Sequence, residues 1–268
     1  MGEVTFDLKH YPVMKETGLP WLGEVPKHWK VAQLGRMGRF SKGSGGTKED
    51  EVTKGVPCIR YGDIYMHYKF FIRKSRSYIS NEHANIYTRI RFGDVLFAGS
   101  GETIEEIGKS AVNLIVSEAC CGGDIIIFRP SVCVDPQFMG YATDCPQAAY
   151  QKSCMGRGIT VMHIYGDRLK YMWVALPPVS EQTTIVRFLN YTDRCIRRYI
   201  LAKQKLIKLL EEQKQGIIHH VVTRGLDPNV RLKPSGIEWL GDVPEHWDVR
   251  RNGWLFSQRN ETGFADLP

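Results

Sequence analysis

The sequence contains no long hydrophobic run. Its purely aliphatic and aromatic runs, such as Ile125–Phe128, are short, whereas a transmembrane helix needs roughly 18 apolar residues. The first twelve residues, MGEVTFDLKHYP, lack the apolar segment of a signal peptide, and Phe6 stands where a myristoylation signal needs serine or threonine. These absences predict a cytoplasmic protein without a membrane segment.

The cysteines and histidines form no recognisable metal pattern. The seven cysteines are odd in number and include no CxxC pair, which argues against a disulfide framework and against a zinc ribbon. The eight histidines include neither HExxH nor HxxxH, so we expect no metal ion. Cys120–Cys121 adjoins an apolar stretch and is predicted to lie in the core, and His219–His220 suits a helix end better than a metal pair.

The charge is unevenly distributed. The chain has 268 residues, enough for one or two domains, and a net charge of +7. Residues 36–91 contain 12 basic, 5 acidic and 8 aromatic side chains other than histidine. Basic groups interleaved with aromatics are typical of a surface that binds phosphates and bases. A solvated basic face with aromatics in the core remains the alternative.

A segment of the chain is repeated. Residues 17–31 and 235–249, TGLPWLGEVPKHWKV and SGIEWLGDVPEHWDV, share nine identities in fifteen positions at a constant offset of 218 residues. The offset indicates a repeating unit of about 218 residues, with a second copy that begins near Leu226. We predict that the two tryptophans of each copy clamp the start of a domain. A tryptophan platform for stacking a base is the alternative.

Short strands and one helix are predicted before residue 178. Strand-forming residues bounded by turn residues occur at 31–34, 58–61, 94–98, 124–128 and 172–176. The segment 135–152 begins with Asp-Pro and has helical spacing, and 42–51 is predicted to be a flexible loop. The mixture predicts an α/β or α+β globular domain.

A long helix is predicted after Pro177–Pro178, with Ser180 as its N-cap. From Glu181 to Val222 there is no proline and a single glycine, Gly216. Apolar residues recur at steps of three, four and seven, which is typical of a coiled-coil-forming helix. We predict dimerisation through this stripe, at Ile185, Leu189, Ile196, Tyr199, Leu206, Leu209 and Leu210.

No catalytic motif is present. The segment from Gly101 to Ser110 resembles a phosphate-binding loop, but it has six residues where that motif has four. Three glutamates would also crowd a phosphate there. No nucleophile elbow or methyltransferase cofactor loop occurs. A nucleotide-using enzyme and a helical scaffold protein that never meets DNA remain as alternatives to a binding protein.

Several strings together resemble the specificity subunit of type I restriction–modification systems. They are GLPWLGEVPKHWKV with its echo GIEWLGDVPEHWDV, then FGDVLFAGSGETIEEIGKSAV, and finally the junction GRGITVMHIYGDRLKYMWVALPPVSEQTTIVRFLNYTD. The junction carries Pro-Pro-x-x-Glu-Gln at Pro177, Pro178, Glu181 and Gln182. The resemblance runs along nearly the whole chain.

The resemblance implies a non-catalytic subunit. Such a subunit has two target recognition domains, each reading half of a split DNA sequence, separated by two helices that pair antiparallel. It docks adenine methyltransferase subunits, which bind S-adenosylmethionine, and nuclease subunits join them. By this resemblance 1–178 is a target recognition domain, 179–224 the spacer helix, and 225–268 the beginning of a second recognition domain. We expect a truncated or half-length form without a cofactor of its own, which pairs with a second copy.

The residues that we expect to contact double-stranded DNA lie in two glycine-rich loops and in the basic window. Glycine lets a backbone approach phosphate, and arginine or lysine can hydrogen-bond guanine. The candidates are Lys42, Ser44, Gly45, Gly46, Thr47, Lys48, Arg60, Tyr61, Arg73, Lys74 and Arg76, with Lys152 and Arg157 on the second loop.

Overall fold

The computed structural model describes residues 11–46, 48–101, 103–104, 106–158 and 162–257. It divides between Tyr191 and Thr192 into two compact units. The first unit contains the strands and short helices of the predicted globular domain. The second contains most of the long helix and a terminal hairpin.

The elements have the following bounds. The strands of the first unit are β1 (Met14–Glu16), β2 (Glu24–Pro26), β3 (Lys30–Gln33), β4 (Gly38–Lys42), β5 (Glu51–Val52), β6 (Val56–Ile59), β7 (Phe70–Ile72), β8 (Ser77–Ile79), β9 (Thr88–Ile90), β10 (Val95–Ala98), β11 (Ser100–Gly101), β12 (Ser110–Asn113), β13 (Ala119–Cys121), β14 (Ile125–Pro130), β15 (Met162–His163) and β16 (Trp173–Leu176). Its helices are α1 (Tyr61–Met66), α2 (Pro136–Asp144), α3 (Pro146–Met155) and α4 (Gly166–Leu169). Helix α5 (Val179–Arg224) continues into the second unit, which also contains β17 (Leu232–Pro234), β18 (Asp242–Pro244) and α6 (Asn252–Leu255).

The first five-stranded sheet, in the order β4-β14-β10-β12-β7, is buried on both faces. Successive side chains of a strand point to opposite faces. Ile126 and Phe128 therefore pack in one core cluster, with Met139 of α2, while Ile125 and Ile127 pack in another. Burial of both faces explains why β14 begins with the continuous apolar run Ile125–Phe128.

The second five-stranded sheet has the order β5-β8-β6-β13-β9. Ile59, Ile90 and Cys121 of this sheet pack in the same core cluster as Ile125 and Ile127 of the first sheet. One face of the first sheet is therefore covered by the second sheet, and the other by α2 and its neighbours. The predicted mixture of strands and helices followed by a long helix is confirmed.

Each predicted strand corresponds to a strand of the structure. The segments 31–34, 58–61, 94–98, 124–128 and 172–176 correspond to β3, β6, β10, β14 and β16, with ends that differ by two residues at most. The predicted loop 42–51 is only partly irregular. It begins in β4, and it ends in a 3₁₀ turn at Lys48–Asp50 and the first residue of β5.

The helix predicted at 135–152 is two helices. Asp135 caps α2, since its carboxylate accepts hydrogen bonds from the N–H groups of Gln137 and Phe138. Helix α2 ends at Asp144, because Pro146 lacks an N–H donor and disfavours a helical conformation at Cys145. Pro146 then becomes the first residue of α3.

Helix α5 is 46 residues long and begins at Val179, which is directly after the proline pair. Ser180 is already helical, so its prediction as the N-cap was wrong. Instead the carbonyl of Pro178 accepts hydrogen bonds from the N–H groups of Glu181 and Gln182. The helix ends before Gly225, which has a φ of 78° that suits glycine at a helix C-terminus.

The repeated sequence segments form the same hairpin twice. Strands β1 and β2 pair antiparallel, as do β17 and β18, and every element is displaced by 218 residues. We call the hairpin of residues 13–31 hairpin 1, and that of 231–249 hairpin 2. Thr17 N–H donates to Gly23 O in hairpin 1, and Ser235 N–H donates to Gly241 O in hairpin 2. The repeated glycines at the corresponding positions share a positive φ between 64° and 73°.

Hairpin 1 holds the start of α5 through Glu181. The Glu181 carboxylate accepts hydrogen bonds from His28 Nε2 at 2.8 Å, from Trp29 Nε1 at 3.0 Å and from the hydroxyl of Tyr11. The next residue, Gln182, is buried and accepts a hydrogen bond from the N–H of Asp135. Hence the second tryptophan of hairpin 1 helps to clamp the chain to its domain, as predicted.

Replacing Glu181 by glutamine is expected to destabilise the chain by about 1–2 kcal/mol at pH 7, because the charge strengthens these hydrogen bonds. Burial opposes ionisation, but the donors Tyr11, His28 and Trp29 prevail and lower the pKa of Glu181. The stabilisation is therefore present above the ordinary pKa of 4.5 and is lost as the pH falls through the folded value. Urea unfolding from pH 7 to pH 3 measures this. A difference between wild type and Glu181→Gln that stays constant over this range would contradict it.

The cysteines are free thiols in this structure. Cys120 and Cys121 are buried in β13, so their prediction as core residues is confirmed. Burial raises the pKa of Cys121 to about 12. Within the described ranges, no helix has the length and apolar character to cross a membrane. The same ranges contain no group of three or more histidine, cysteine or acidic side chains that is able to hold a metal ion.

Candidate nucleic-acid interface

Many of the predicted DNA-contact residues lie at one end of the second sheet. Strands β6 and β13 are parallel, while β8 and β9 run antiparallel to them. The carboxyl ends of β6 and β13 therefore meet the amino ends of β8 and β9. Arg60 and Tyr61 directly follow β6, and Arg73, Lys74 and Arg76 directly precede β8. We call this end of the sheet the basic end.

The loop after Lys42 lies at the same place. Gly43 N–H donates to Ile125 O at 2.8 Å, and Ser44 N–H donates to the hydroxyl of Thr88, the first residue of β9. Gly122 N–H, which follows β13, donates to Ile59 O at the end of β6. Hydrogen bonds between Ser44 and Thr88, which include Thr88 N–H to Ser44 O at 3.0 Å, thus join the predicted glycine loop to the basic end, although tens of residues separate the two in the sequence.

A cleft of about 540 Å³ opens between the cations of this end. The Tyr68 hydroxyl donates to Lys74 O at 2.9 Å and accepts from Arg76 N–H at 3.1 Å, which fixes the backbone that carries both cations. Burial raises the pKa of Tyr68 to about 12, so this phenol stays neutral beside the cations. The lining residues are His67, Tyr68, Lys74, Ser75, Arg76 and Tyr78, which include no carboxylate.

The arginines and Tyr61 differ in solvent exposure and in the contacts that they already make within the chain. Arg73 is exposed, stacks on the Phe71 ring at 5.1 Å and donates to Gln137 Oε1. Arg60 is only 16% exposed and lies 4.0 Å from a Glu51 carboxylate oxygen, while Tyr61 at the start of α1 is 45% exposed. Lys74, Arg76 and Tyr61 are therefore better placed than Arg60 for contact with a ligand.

The glycines of the loop serve packing. A Cβ at Gly45 would lie 2.2 Å from the Tyr87 ring, and one at Gly46 would lie 1.8 Å from the Asp50 carboxylate. The N–H and hydroxyl of Ser44 are both engaged with Thr88. Close approach of the Tyr87 ring thus requires glycine at position 45, whether or not a phosphate binds, whereas a side chain at position 46 would displace the movable Asp50 carboxylate. Thr47 and the side chain of Lys48 lie outside the described residues.

A second cleft, of about 420 Å³, adjoins the loop at the end of the first sheet. Lys42, Ser100, Asp124, His163 and Tyr165 contribute to its lining. Ser100 Oγ lies 3.1 Å from His163 Nδ1, and Tyr165 is 57% exposed. His67, His163 and Tyr165 were not predicted from the sequence, since no motif connects them with Lys42 and Lys74.

The prediction of Lys152 as a DNA contact was wrong. This lysine is 1% exposed, and its Nζ donates to Asp144 Oδ1 at 2.8 Å and to Thr143 O at 2.9 Å. Burial lowers the pKa of Lys152, and the Asp144 carboxylate opposes that shift. Arg157, two residues past α3, is exposed and its backbone pairs with His163.

The segment that resembles a phosphate-binding loop has a different structure. Such a loop leads from a strand into a helix, whose N-terminus binds the phosphate. Here Ser110 instead begins β12, which pairs antiparallel with β10. Lys109 Nζ donates to the carbonyl of Tyr65. The geometry therefore gives no support to the alternative of a nucleotide-using enzyme.

Comparisons with known proteins agree with this architecture, although no family model matches the chain. A Methanocaldococcus jannaschii protein assigned as the MjaX type I restriction enzyme specificity subunit is 26% identical over 233 residues, which cover 85% of this chain and 52% of that protein. The HsdS subunit from Thermoanaerobacter tengcongensis has a TM-score of 0.52 at 18% identity, covering 78% of this chain and 47% of that one. A chain from a study of assembly and conformational transition of the type I R-M system has a TM-score of 0.56 at 18% identity, covering 77% and 48%.

The comparisons confirm the resemblance that the sequence motifs indicate. The chain spans about half the length of each of these proteins. It is a relative of the specificity subunits of type I restriction–modification systems, and it corresponds to about half of one.

Proposed function

We propose that this chain recognises one half of a bipartite sequence in double-stranded DNA, as a specificity subunit of a type I restriction–modification complex. The basic end of the second sheet carries the proposal. Its cations Lys74 and Arg76 border a cleft without a carboxylate, at the same end of the sheet as the exposed Tyr61 and the loop after Lys42. Cations position a protein on phosphates, while arginine, lysine and aromatic side chains can reach base edges.

The proposed role is non-catalytic. The relatives are specificity subunits, and no motif for acyl or phosphoryl transfer is present in the sequence. Methyl transfer would therefore belong to methyltransferase subunits that bind S-adenosylmethionine and dock on this chain, with nuclease subunits joining them. Such a complex would act on DNA in the cytoplasm.

A domain graft tests this proposal. Residues 1–178 of a relative with a different target are joined to residues 179–268 of this chain and expressed with its methyltransferase subunits. Methylome sequencing is expected to show the half-site of the relative, because base readout requires side chains from the globular domain. Exchange of 181–222 alone is expected to change at most the spacing of the half-sites. If the graft methylates the half-site of this chain, the assignment of recognition to 1–178 is wrong.

The long helix is proposed to pair with a second copy of itself. Beyond Tyr191 its apolar side chains are exposed in the single chain: Ile196, Tyr199, Leu206 and Leu210 are between 46% and 56% exposed. An amphipathic stripe of this length is typical of a helix that pairs with another. Ile185 and Leu189, by contrast, are partly buried in the first unit.

Replacing Leu206, Leu209 and Leu210 by glutamate is expected to convert a dimer into a monomer at tens of micromolar. The charges would lie in the apolar seam, where desolvation opposes pairing. Gln204→Glu with Gln215→Glu is the matched control, since these positions lie on the opposite side at 100° per residue and should leave the dimer intact. Light scattering measures the mass. A monomeric wild-type chain would contradict this proposal.

A further inference from the structure

Hairpin 1 shows what the repeated hairpin binds. Its donors His28 Nε2 and Trp29 Nε1 hold both oxygens of a glutamate in the first turn of a long helix, directly after two prolines. Its first tryptophan, Trp21, lies against Tyr150 of α3 with ring centroids 6.3 Å apart. The target of the hairpin is thus a glutamate-bearing helix start next to an aromatic ring.

Hairpin 2 repeats the donors of hairpin 1 without this target. At the offset of 218 residues, His246 and Trp247 stand where His28 and Trp29 do, and Asn229 replaces the donor Tyr11. No described residue accepts a hydrogen bond from the side chain of His246 or Trp247. Trp239, the counterpart of Trp21, is 80% exposed. The hairpin itself is well formed, with Val243 buried and the backbone hydrogen bonds in place.

We infer that hairpin 2 is a docking site for the start of a second long helix, in a domain that has the same fold as the first unit. That helix start carries a carboxylate in its first turn, which binds His246 Nε2 and Trp247 Nε1, and an adjacent aromatic side chain covers Trp239. The chemistry is that of Glu181 on hairpin 1, where charge-assisted hydrogen bonds to two fixed ring donors recognise a carboxylate. The inference is independent of the proposed DNA binding.

The Glu181 of the same chain is not available to bind hairpin 2, because hairpin 1 already holds it. Hairpin 1 and Glu181 belong to one compact unit, so their contact is intramolecular and has a high effective concentration. An added helix start meets hairpin 1 already occupied by Glu181, whereas no described residue accepts a hydrogen bond from the His246 or Trp247 side chain of hairpin 2. The two hairpins therefore provide an internal control for any binding experiment on the whole chain.

Nuclear magnetic resonance of the indole N–H groups tests the inference on the full chain. The probe is a synthetic peptide of residues 176–194, which contains Glu181 and no tryptophan, so every indole signal comes from the protein. We expect a saturable shift of the Trp247 indole resonance at up to millimolar peptide, with the Trp29 resonance unchanged. Glu181→Ala in the peptide is expected to weaken binding at least about tenfold, because charge-assisted hydrogen bonds are lost.

His246→Ala in the protein is expected to weaken the Trp247 response by a similar factor, and His28→Ala is the matched control that should leave it unchanged. The comparison of the two peptides on the wild-type chain decides the question even if a protein variant fails to fold. The inference is overturned if Trp247 shows no saturable shift, if the alanine peptide binds equally well, or if only Trp29 responds.

Discussion

Replacing Asp144 by alanine is expected to lower the free energy of unfolding by about 3–5 kcal/mol, because it leaves the charge of Lys152 buried without its counter-ion. The Lys152 side chain is 1% exposed. Its Nζ donates a hydrogen bond to the carboxylate of Asp144, which lies in the last turn of α2. Asp144 also accepts a hydrogen bond from the N–H of Ser110 at the start of β12. The substitution thus removes one carboxylate that joins three elements of the core.

Asp144→Asn is the matched control for this prediction, since it keeps an acceptor of the same shape and removes only the charge. We expect it to destabilise less than Asp144→Ala. Adding Lys152→Met to Asp144→Ala is expected to restore part of the loss, because the unpaired charge disappears while an apolar side chain of similar length remains. Urea unfolding at pH 7 measures all four proteins. A loss below about 1 kcal/mol in Asp144→Ala would show that the pair is not desolvated.

Replacing Arg73, Lys74 and Arg76 together by alanine is expected to weaken DNA binding roughly 10²–10³-fold near 0.1 M salt. Each cation that contacts a phosphate releases counter-ions, and contributes about 0.9 to the slope of log affinity against log salt. The slope should therefore fall by roughly 3. Fluorescence anisotropy with labelled duplex DNA at several salt concentrations measures both quantities.

Lys54→Ala with Arg91→Ala is the control for charge alone. Both residues are exposed and lie at the opposite end of the second sheet, Lys54 before β6 and Arg91 after β9. Their removal should change the affinity and the slope only slightly. An equal loss in the control and in the triple variant would mean that net charge, and not the basic end, determines the binding.

The sequence by itself determined the elements whose signals are local. Helix α5 follows from a stretch without proline after Pro177–Pro178 and from its apolar spacing, because helix formation depends on residues three and four apart. The strands β10 and β14 follow from β-branched runs bounded by turn residues. The repeat of tryptophans and glycines indicates that residues 17–31 and 235–249 share one local structure, but only the structure shows that it is a hairpin. The structure differs from these predictions at the element ends: the strand ends shift by up to two residues, and α5 begins at Val179, so that Ser180 is not its N-cap.

The tertiary structure alone decided which of these elements meet. Strand pairing joins residues far apart in sequence, such as Cys58 with Cys120, so no local pattern predicts that Arg60 and the loop after Lys42 share one end of a sheet. The position of Lys152 depends on a partner on another helix. A lysine is normally exposed, but here Asp144 Oδ1 lies 2.8 Å from Lys152 Nζ and compensates the buried charge. Asp144 provides that carboxylate because Pro146 ends the predicted single helix and lets α3 fold back on α2. The sequence thus determined the local elements and the excess of basic charge, and long-range packing decided which charges face solvent and which the core.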